Sequence, residues 1–278
     1  DLAFQAVNLA MVDLEFAKGQ LTLMLDETYL HPNGQMPAYE WNFSDVNPPV
    51  HAWATLFVYS IEKERYGSGD LPWLKNAFQK LLLNFTWWVN RKDPKGRNVF
   101  EGGFLGLDNI GVFDRSKPLP GGGQLEQADG TAWMALYCQN MFEMALELAA
   151  HEPVYEDMAL KFFEHFIYIA AAMDHIGDNM QDMWDDTDGF FYDLLWMSDH
   201  EAIRLKVRSM VGLLPLCATT VMENKMVRRF PKLVERAIFR LEKHPELLSS
   251  IHDPRLPGHD GRLMFSILDE AKLRRVLE

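Results

Sequence analysis

Aromatic, carboxyl and amide side chains are concentrated in one segment near the start of the sequence, QMPAYEWNFSDVNPP at Gln35–Pro49. A pyranose ring has apolar faces and a rim of hydroxyl groups, so proteins bind it with aromatic platforms and a few hydrogen-bonding groups. The segment supplies both, which makes it a candidate sugar-binding loop. A structural loop in which Asp45 or Asn47 caps the next helix is an equally good interpretation. The candidate binding residues are Tyr39, Glu40, Trp41 and Asp45.

A second segment, EGGFLGLDNIGVFDR at Glu101–Arg115, combines glycines with charged and amide side chains. It lacks the G-x-G-x-x-G spacing of a dinucleotide loop and the Gly-Lys-Ser/Thr of a phosphate-binding loop. Its glycines allow the backbone to approach a ligand closely or to turn tightly. The alternative is a surface turn that carries an Asp114–Arg115 charge cluster. Its candidate binding residues are Glu101, Asp108, Asn109 and Arg115.

Other patterns of reactive residues are excluded or left open. In Asp182–Asp193, the acids do not fall at the positions that a calcium-binding EF-hand loop requires, so an acidic turn before a strand is the better interpretation. The histidines show no zinc spacing, and no G-x-S-x-G elbow is present. We predict no metal and no cofactor. Asp1 precedes a helical pattern, where it is either an N-cap or a proton donor that faces a pocket.

These residues must be positioned by the surrounding secondary structure, and most of the sequence has the periodicity of α-helices. The best strand signal is Gly189–Leu194. Asp13 and Asp70 have the sequence context of helix N-caps. The predicted helices begin near Asp1 and Asp13 and continue with Pro48–Tyr66, Asp70–Val89, Glu126–Ala149, Pro153–Met173, Arg208–Met222, Lys225–Leu241 and Gly261–Leu277.

The links between these helices alternate between short and long. Thr28–Asn47, Arg91–Leu125 and Asp174–Val207 are the long ones. In antiparallel helices packed in series, successive links lie at opposite ends, so the long links should share one end with Asp1. Long loops in a compact domain are usually functional. We therefore predict an all-α fold of about four helical hairpins, either a closed ring or an open part of one, with its functional end at the long links.

Composition limits the class of protein. The 278 residues are 48% apolar, which is enough for one large domain over residues 1–278. The formal net charge of −13 disfavours nucleic acid and acidic membrane surfaces as partners. Two cysteines provide no disulfide framework, which favours a reducing, cytoplasmic location. Both ends stop within helical patterns, so we expect a piece of a longer protein, and its targeting signals cannot be read here.

Several of these segments, taken in order along the chain, resemble glycoside hydrolase family 63. That family includes processing α-glucosidases and mannosylglycerate-hydrolase-like enzymes. Asp1-Leu-Ala-Phe4 resembles the end of the family's Trp-Asp-x-x-Phe-His signature, with Gln5 in place of the histidine. Glu101–Asn109 resembles the family's Glu-Ser-Gly-x-Asp-Asn/Asp segment with inserted residues. Other matching segments are Gln35–Pro49, Gln127–Trp133, Gly189–Asp193 and Gly212–Leu216.

The resemblance implies an (α/α)6 toroid, here incomplete, and an inverting α-glycosidase that acts on α-linked oligosaccharides or glycosides, with α-glucosides favoured. It places the general acid on Asp1 and the general base beyond Glu278, so the isolated chain is expected to be inactive. Asp45, Glu101, Asp108 and Glu126 would supply the acidic surroundings that raise the pKa of the acid and would bind sugar hydroxyls. The alternatives are a non-catalytic carbohydrate-binding or scaffold toroid, and a sugar epimerase that uses His31 and His51.

Overall fold

Three antiparallel helical hairpins, formed by α1 to α6, are the framework of the protein in the computed structural model. The structure describes residues 1–39, 42–43, 45–93, 95–101, 107, 110–115, 117, 119, 122–174, 182–198, 201–248 and 252–278. The helices are α1 Leu2–Ala10, α2 Leu14–Met24, α3 His51–Tyr66, α4 Leu71–Arg91, α5 Ala128–Ala149, α6 Tyr155–Asp174, α7 Asn224–Arg229, α8 Pro231–Lys243 and α9 Glu270–Leu277. The strands are β1 Gln124–Glu126, β2 Trp184–Asp185, β3 Phe190–Phe191, β4 Asp193–Ser198, β5 Glu201–Leu205, β6 Thr219–Met222 and β7 Leu263–Ser266.

Local sequence signals explain where the first helices begin and end. The side chains of Asp13 and Asp70 accept hydrogen bonds from the backbone N–H groups of Phe16 and Trp73, which confirms both predicted N-caps. Helix α3 ends at Gly67, which adopts the left-handed conformation with φ +78° that glycine tolerates best. These short links reverse the chain in a few residues and keep the paired helices antiparallel.

Helices α1, α3 and α5 lie side by side, while α2, α4 and α6 form their hairpin partners. Helix α5 is buried on nearly every face because α3, α4 and α6 all contact it. The main core contains large side chains from α4, α5 and α6, including Phe78, Trp88, Tyr137 and Phe162. A smaller cluster of mainly small apolar side chains joins α1, α2 and α3. This arrangement confirms the predicted all-α fold and incomplete toroid.

The ends of the helices separate the short links from the long ones. At the short-link end, Lys18 bonds Glu62 and Asp70, and Lys63 bonds Glu147. The connections 25–50 and 92–127 are the long ones between these helices, and they and the segment that follows α6 all leave from the opposite end. The predicted alternation of short and long links is therefore confirmed for α1 to α6, whereas the third long link, predicted to end at Val207, is not followed by an α-helix until α7 at Asn224.

Short antiparallel strands lie in the segments that follow the long-link ends of the helices. Strands β1, β4 and β5 form one sheet in the order β1-β4-β5, and β2 pairs with β3. The predicted strand signal at residues 189–194 is confirmed by β3 and the start of β4. The third sheet pairs β6 with β7.

The prediction of helix was wrong or incomplete in the last third of the chain. Residues 208–222 form two short 3₁₀ segments, Met210–Gly212 and Leu214–Cys217, followed by β6, because Pro215 cannot donate a helical hydrogen bond. The helix predicted at 225–241 is divided at Pro231 into α7 and α8. The segment predicted at 261–277 contains β7 before α9 begins. The described residues therefore contain three long hairpins rather than four. None of their helices has the length and apolar character needed to cross a bilayer.

Candidate active site

The long-link end contains a cavity of about 530 Å³ between α1, α2, α3 and α4. We call it the Asp1 cavity. Its lining combines polar side chains with aromatic and aliphatic side chains, and both the helices and the first long link supply them. The described lining residues are Asp1, Leu2, Ala3, Gln20, Leu23, Met24, Tyr29, Met36, Pro37, Ala38, Asn47, Pro48, Val50, His51, Asn84 and Trp88. This mixture is typical of a small-molecule site.

Asp1 lies at the mouth of this cavity, at the N-terminal end of α1. Its side chain makes no capping hydrogen bond to the helix, although its backbone carbonyl accepts one from Gln5. The residue is exposed, and it shares the cavity with residues 36–38, directly before the aromatic segment that begins at Tyr39. The carboxyl group is thus not used as a helix cap.

A buried hydrogen-bond network forms the floor of the Asp1 cavity. The Asn84 amide donates to the Gly34 carbonyl oxygen at 2.7 Å, which leaves its Oδ1 to pair with His51 Nε2 at 3.0 Å. Tyr137 Oη lies 3.4 Å from the same His51 nitrogen. Burial lowers the pKa of His51 to about 4, so the imidazole is neutral at physiological pH and Nε2 is the nitrogen that donates to Asn84.

Gly34 allows this network to reach the first long link. It has φ +91°, and a Cβ at this position would overlap the carbonyl oxygen of Leu83 in α4. Glycine therefore lets the link lie directly on the helix. Sequence patterns did not single out Asn84 or Trp88. Asn84 is a polar side chain among the buried residues of α4, and Trp88 is a buried aromatic on the same helix, so periodicity alone does not mark either as functional.

The predicted sugar-binding loop is partly described. Asp45 is buried; its carboxylate accepts from the Val46 N–H at 2.9 Å, and its carbonyl oxygen accepts from Ala38 N–H at 3.1 Å. Tyr39 is 58% exposed, so its ring is available to a ligand. Glu40 and Trp41 lie outside the described residues.

Two of the predicted acids approach one cation. Glu101 donates its backbone N–H to the Lys92 carbonyl oxygen at 2.9 Å. Burial lowers the pKa of Lys92, and the negative charges of Glu101 and Asp45 oppose that shift. The structure thus brings Glu101 and Asp45 into the surroundings of Lys92, a residue that no sequence pattern indicated. Asp108 and Asn109 lie outside the described residues.

The Arg115 side chain forms part of a buried cluster of ion pairs. Its guanidinium bonds the carboxylates of Asp129 and Asp193, and one nitrogen also donates to the Leu107 carbonyl oxygen at 3.0 Å. Burial raises the pKa of Asp193 to about 7, against the attraction of Arg115. The Ala128 N–H at the start of α5 donates to Asp193 as well. The cluster ties the second long link to α5 and β4.

Glu126 is likewise held within the protein. Its carboxylate accepts from Trp196 Nε1 at 2.7 Å and pairs with Arg97, whose guanidinium lies 4.3 Å from the Trp196 ring centre. Burial raises the pKa of Glu126, while Trp196 and Arg97 oppose the shift. The side chains of Arg115 and Glu126 therefore bond other residues of the protein, whereas Asp1 lines the cavity.

The histidine pair required by the epimerase alternative is not gathered around the cavity in the described residues. His51 lines it, but His31 packs its ring edge-on against Phe43, with 5.0 Å between ring centres. In the described ranges, no three His, Cys, Asp or Glu side chains are placed to hold a metal ion together.

Comparison with known proteins supplies a family context for this geometry. Residues 1–109 match the family described as the mannosylglycerate hydrolase MGH1-like glycoside hydrolase domain. A glycoside hydrolase family 63 mannosylglycerate hydrolase from Thermus thermophilus, solved in complex with glucose, superposes with TM-score 0.57 and 15% identity, over 94% of this chain and 74% of that one. The resemblance to glycoside hydrolase family 63 is thereby confirmed.

Two further proteins are similar to this chain. An uncharacterised conserved protein from the same organism superposes with TM-score 0.59 and 16% identity, over 94% of this chain and 74% of that one. The uncharacterised protein YMR196W of Saccharomyces cerevisiae is 50% identical over the whole of this chain. The chain spans 26% of the length of that relative.

Proposed function

We propose that this chain contributes the general acid, Asp1, to the active site of a glycoside hydrolase that acts on α-linked oligosaccharides or glycosides. The observation that carries the proposal is the Asp1 carboxyl, unused as a cap, at the mouth of a cavity with aromatic and amide walls. The match of residues 1–109 to a glycoside hydrolase domain supports it. The solved relative that contains glucose supports a sugar as the ligand.

The chemistry requires two carboxyl groups. A general acid protonates the leaving oxygen while a general base activates water on the opposite face of the sugar, and inversion needs about 6.5–9.5 Å between the two groups. Asp1 is the single carboxylic acid among the described residues that line the cavity. We propose that the base comes from outside these 278 residues. The isolated chain should therefore bind a sugar without hydrolysing it.

The remaining cavity residues suit recognition rather than proton transfer. Tyr29 offers aromatic surface, while Gln20 and Asn47 offer amide groups to sugar hydroxyls. We propose that Tyr39, Glu40, Trp41, Asp45, Glu101, Asp108 and Asn109 extend this surface along the two long links. We also propose a cytoplasmic location, in keeping with the free cysteines Cys138 and Cys217.

The test is an activity assay on the full-length polypeptide that contains this chain, with α-glucosyl and α-mannosyl disaccharides as substrates. Asp1→Asn should lower kcat by about 100-fold or more while KM changes little, because general acid catalysis contributes roughly 10²–10⁴-fold. Asp13→Asn is the matched control, since this acid caps α2 outside the cavity and asparagine caps equally well. Proton NMR of the first product reports the anomer, and inversion of an α-linkage releases the β-anomer.

Near-normal turnover of the Asp1→Asn protein would remove the assigned role of Asp1. Saturable binding of the disaccharides without turnover by the unsubstituted full-length protein would favour the non-catalytic carbohydrate-binding alternative.

A further inference from the structure

The His51 imidazole has one nitrogen bonded inside the protein and one that is not. His51 lines the Asp1 cavity although the residue is only 5% exposed, and its Nε2 pairs with Asn84. In the part of the chain that the structure describes, no residue forms a hydrogen bond with Nδ1. Nδ1 is nevertheless absent from the fully buried unpartnered atoms of the described residues, so it keeps accessible surface. The Asp1 cavity is the space that this surface borders.

The neighbours of His51 decide which of its nitrogens carries the proton. The Asn84 amide nitrogen is used by the Gly34 carbonyl oxygen at 2.7 Å, so the Asn84 oxygen faces His51 and can only accept. The Tyr137 hydroxyl does not compete for Nε2, because it donates to the Leu81 carbonyl oxygen at 2.8 Å. A neutral imidazole has a single N–H, and here it lies on Nε2. Nδ1 is therefore restricted to accepting a hydrogen bond.

A second acceptor lies on the wall that the first long link supplies. Asn47 donates its amide nitrogen to the Ala38 carbonyl oxygen at 3.3 Å, which leaves the amide oxygen as the remaining group of a side chain that lines the cavity. A buried acceptor without a donor destabilises the protein, and a ligand that brings the donor removes that penalty. Hydroxyl groups can donate, whereas ether oxygens and fluorine atoms cannot.

We propose that His51 is a specificity-determining residue of the Asp1 cavity, whose Nδ1 accepts a hydrogen bond from one hydroxyl group of the ligand. Asn84 is then the positioning residue that keeps Nδ1 unprotonated. The inference rests on the proposed function, which makes a sugar the ligand of this cavity. It assigns no proton transfer to His51, so it is independent of the role of Asp1 as general acid.

Two substitutions separate the ligand-facing nitrogen from the buried one. In His51→Gln the amide nitrogen reaches as far from the backbone as Nε2, so the bond to Asn84 is kept and the acceptor in the cavity is lost. In His51→Asn the amide oxygen reaches only as far as Nδ1, so the acceptor is kept and the bond to Asn84 is lost. His51→Asn should therefore have the lower melting temperature, and His51→Gln the weaker ligand binding.

The test is a binding titration of the 278-residue chain with glucose, which cannot be hydrolysed, and with glucose derivatives in which one hydroxyl at a time is replaced by fluorine. At one position, fluorine should weaken binding to the unsubstituted chain about 2- to 10-fold, the value of one hydrogen bond. The same loss should appear in His51→Asn and disappear in His51→Gln. A purely structural role of His51 would instead give the same fluorine pattern in both variants.

Nitrogen NMR of the unsubstituted chain gives a readout that does not depend on any substitution. Nε2 should carry the proton in the free chain, and glucose should shift the Nδ1 resonance and leave Nε2 protonated. The inference is overturned if Nδ1 carries the proton, if the Nδ1 resonance does not respond to glucose, or if glucose fails to bind at millimolar concentration. It is also overturned if the fluorine pattern is the same in His51→Gln and His51→Asn. The role of Asp1 is decided separately, by the turnover of the full-length Asp1→Asn protein.

Discussion

Removing Arg115 should destabilise the protein in a pH-dependent manner. Arg115→Met takes the cation from a site where the Arg115, Asp129 and Asp193 side chains are each less than one-tenth exposed. Breaking a buried ion pair on one side costs about 3–5 kcal/mol, because the remaining charge is left without compensation. We expect a loss of this size in the free energy of unfolding at pH 8.

At pH 5 the loss should be smaller. The pKa of Asp193 already lies near 7 in the folded protein, and removal of Arg115 raises it further. Protonated Asp193 carries no charge that needs a partner, so the destabilisation caused by Arg115→Met should fall as the pH is lowered from 8 to 5. The sign follows from linkage: a carboxyl with a raised folded pKa contributes stability at low pH and loses it as the pH rises through that pKa.

The assay is urea denaturation followed by circular dichroism at both pH values. Arg255→Met is the matched control, since Arg255 forms a solvent-exposed pair with Asp253 and its removal should have little effect on the free energy of unfolding at either pH. Equal losses at pH 5 and pH 8, or a loss no larger than that of the control, would refute the argument that Arg115 compensates two buried carboxylates.

Other buried features give similar tests. Lys18→Met should lower the free energy of unfolding by about 3 kcal/mol, because its ammonium group is buried and bonds three carboxylates. The control is Lys75→Met, which removes an exposed lysine. Equal effects of the two substitutions in urea denaturation would contradict the prediction. Gly212→Ala should cost more than about 2 kcal/mol because its Cβ would overlap the Phe190 ring. Gly19→Ala, with open space in α2, should instead stabilise by about 0.5–1 kcal/mol, and a melting temperature that moves the same way in both glycine variants would refute this pair.

Local signals account for the parts of the fold that the sequence predicted well. A cap such as Asp70 needs only the N–H of Trp73, three residues away, so its role can be read from the neighbouring residues. Strand β6 is different, because its hydrogen bonds go to β7, more than 40 residues later. Periodicity within the short apolar run that contains β6, after Pro215, cannot distinguish such a strand from a buried helix.

The same distinction applies to the candidate site. Asp1 and the first long link could be placed at one end because the alternation of link lengths fixes the direction of each helix. The partners of Arg115 could not, since Asp129 and Asp193 are 14 and 78 residues away along the chain. The sequence around a charged residue in a glycine-rich segment does not show whether its side chain contacts a ligand or a buried carboxylate.

The neutral imidazole beneath the Asp1 cavity has a consequence for tolerance to acid. His51 keeps the same protonation state in the folded protein down to about pH 4, so the bonds that hold the first long link remain unchanged in mildly acidic solution. Folding nevertheless becomes less favourable as the pH falls below 6.5, since the unfolded histidine gains a proton that the folded one refuses. Asp193 has the opposite preference. The two residues therefore have opposite effects on the pH dependence of stability. Between about pH 4 and 7, acidification lowers the free energy of unfolding by less than His51 alone would cause.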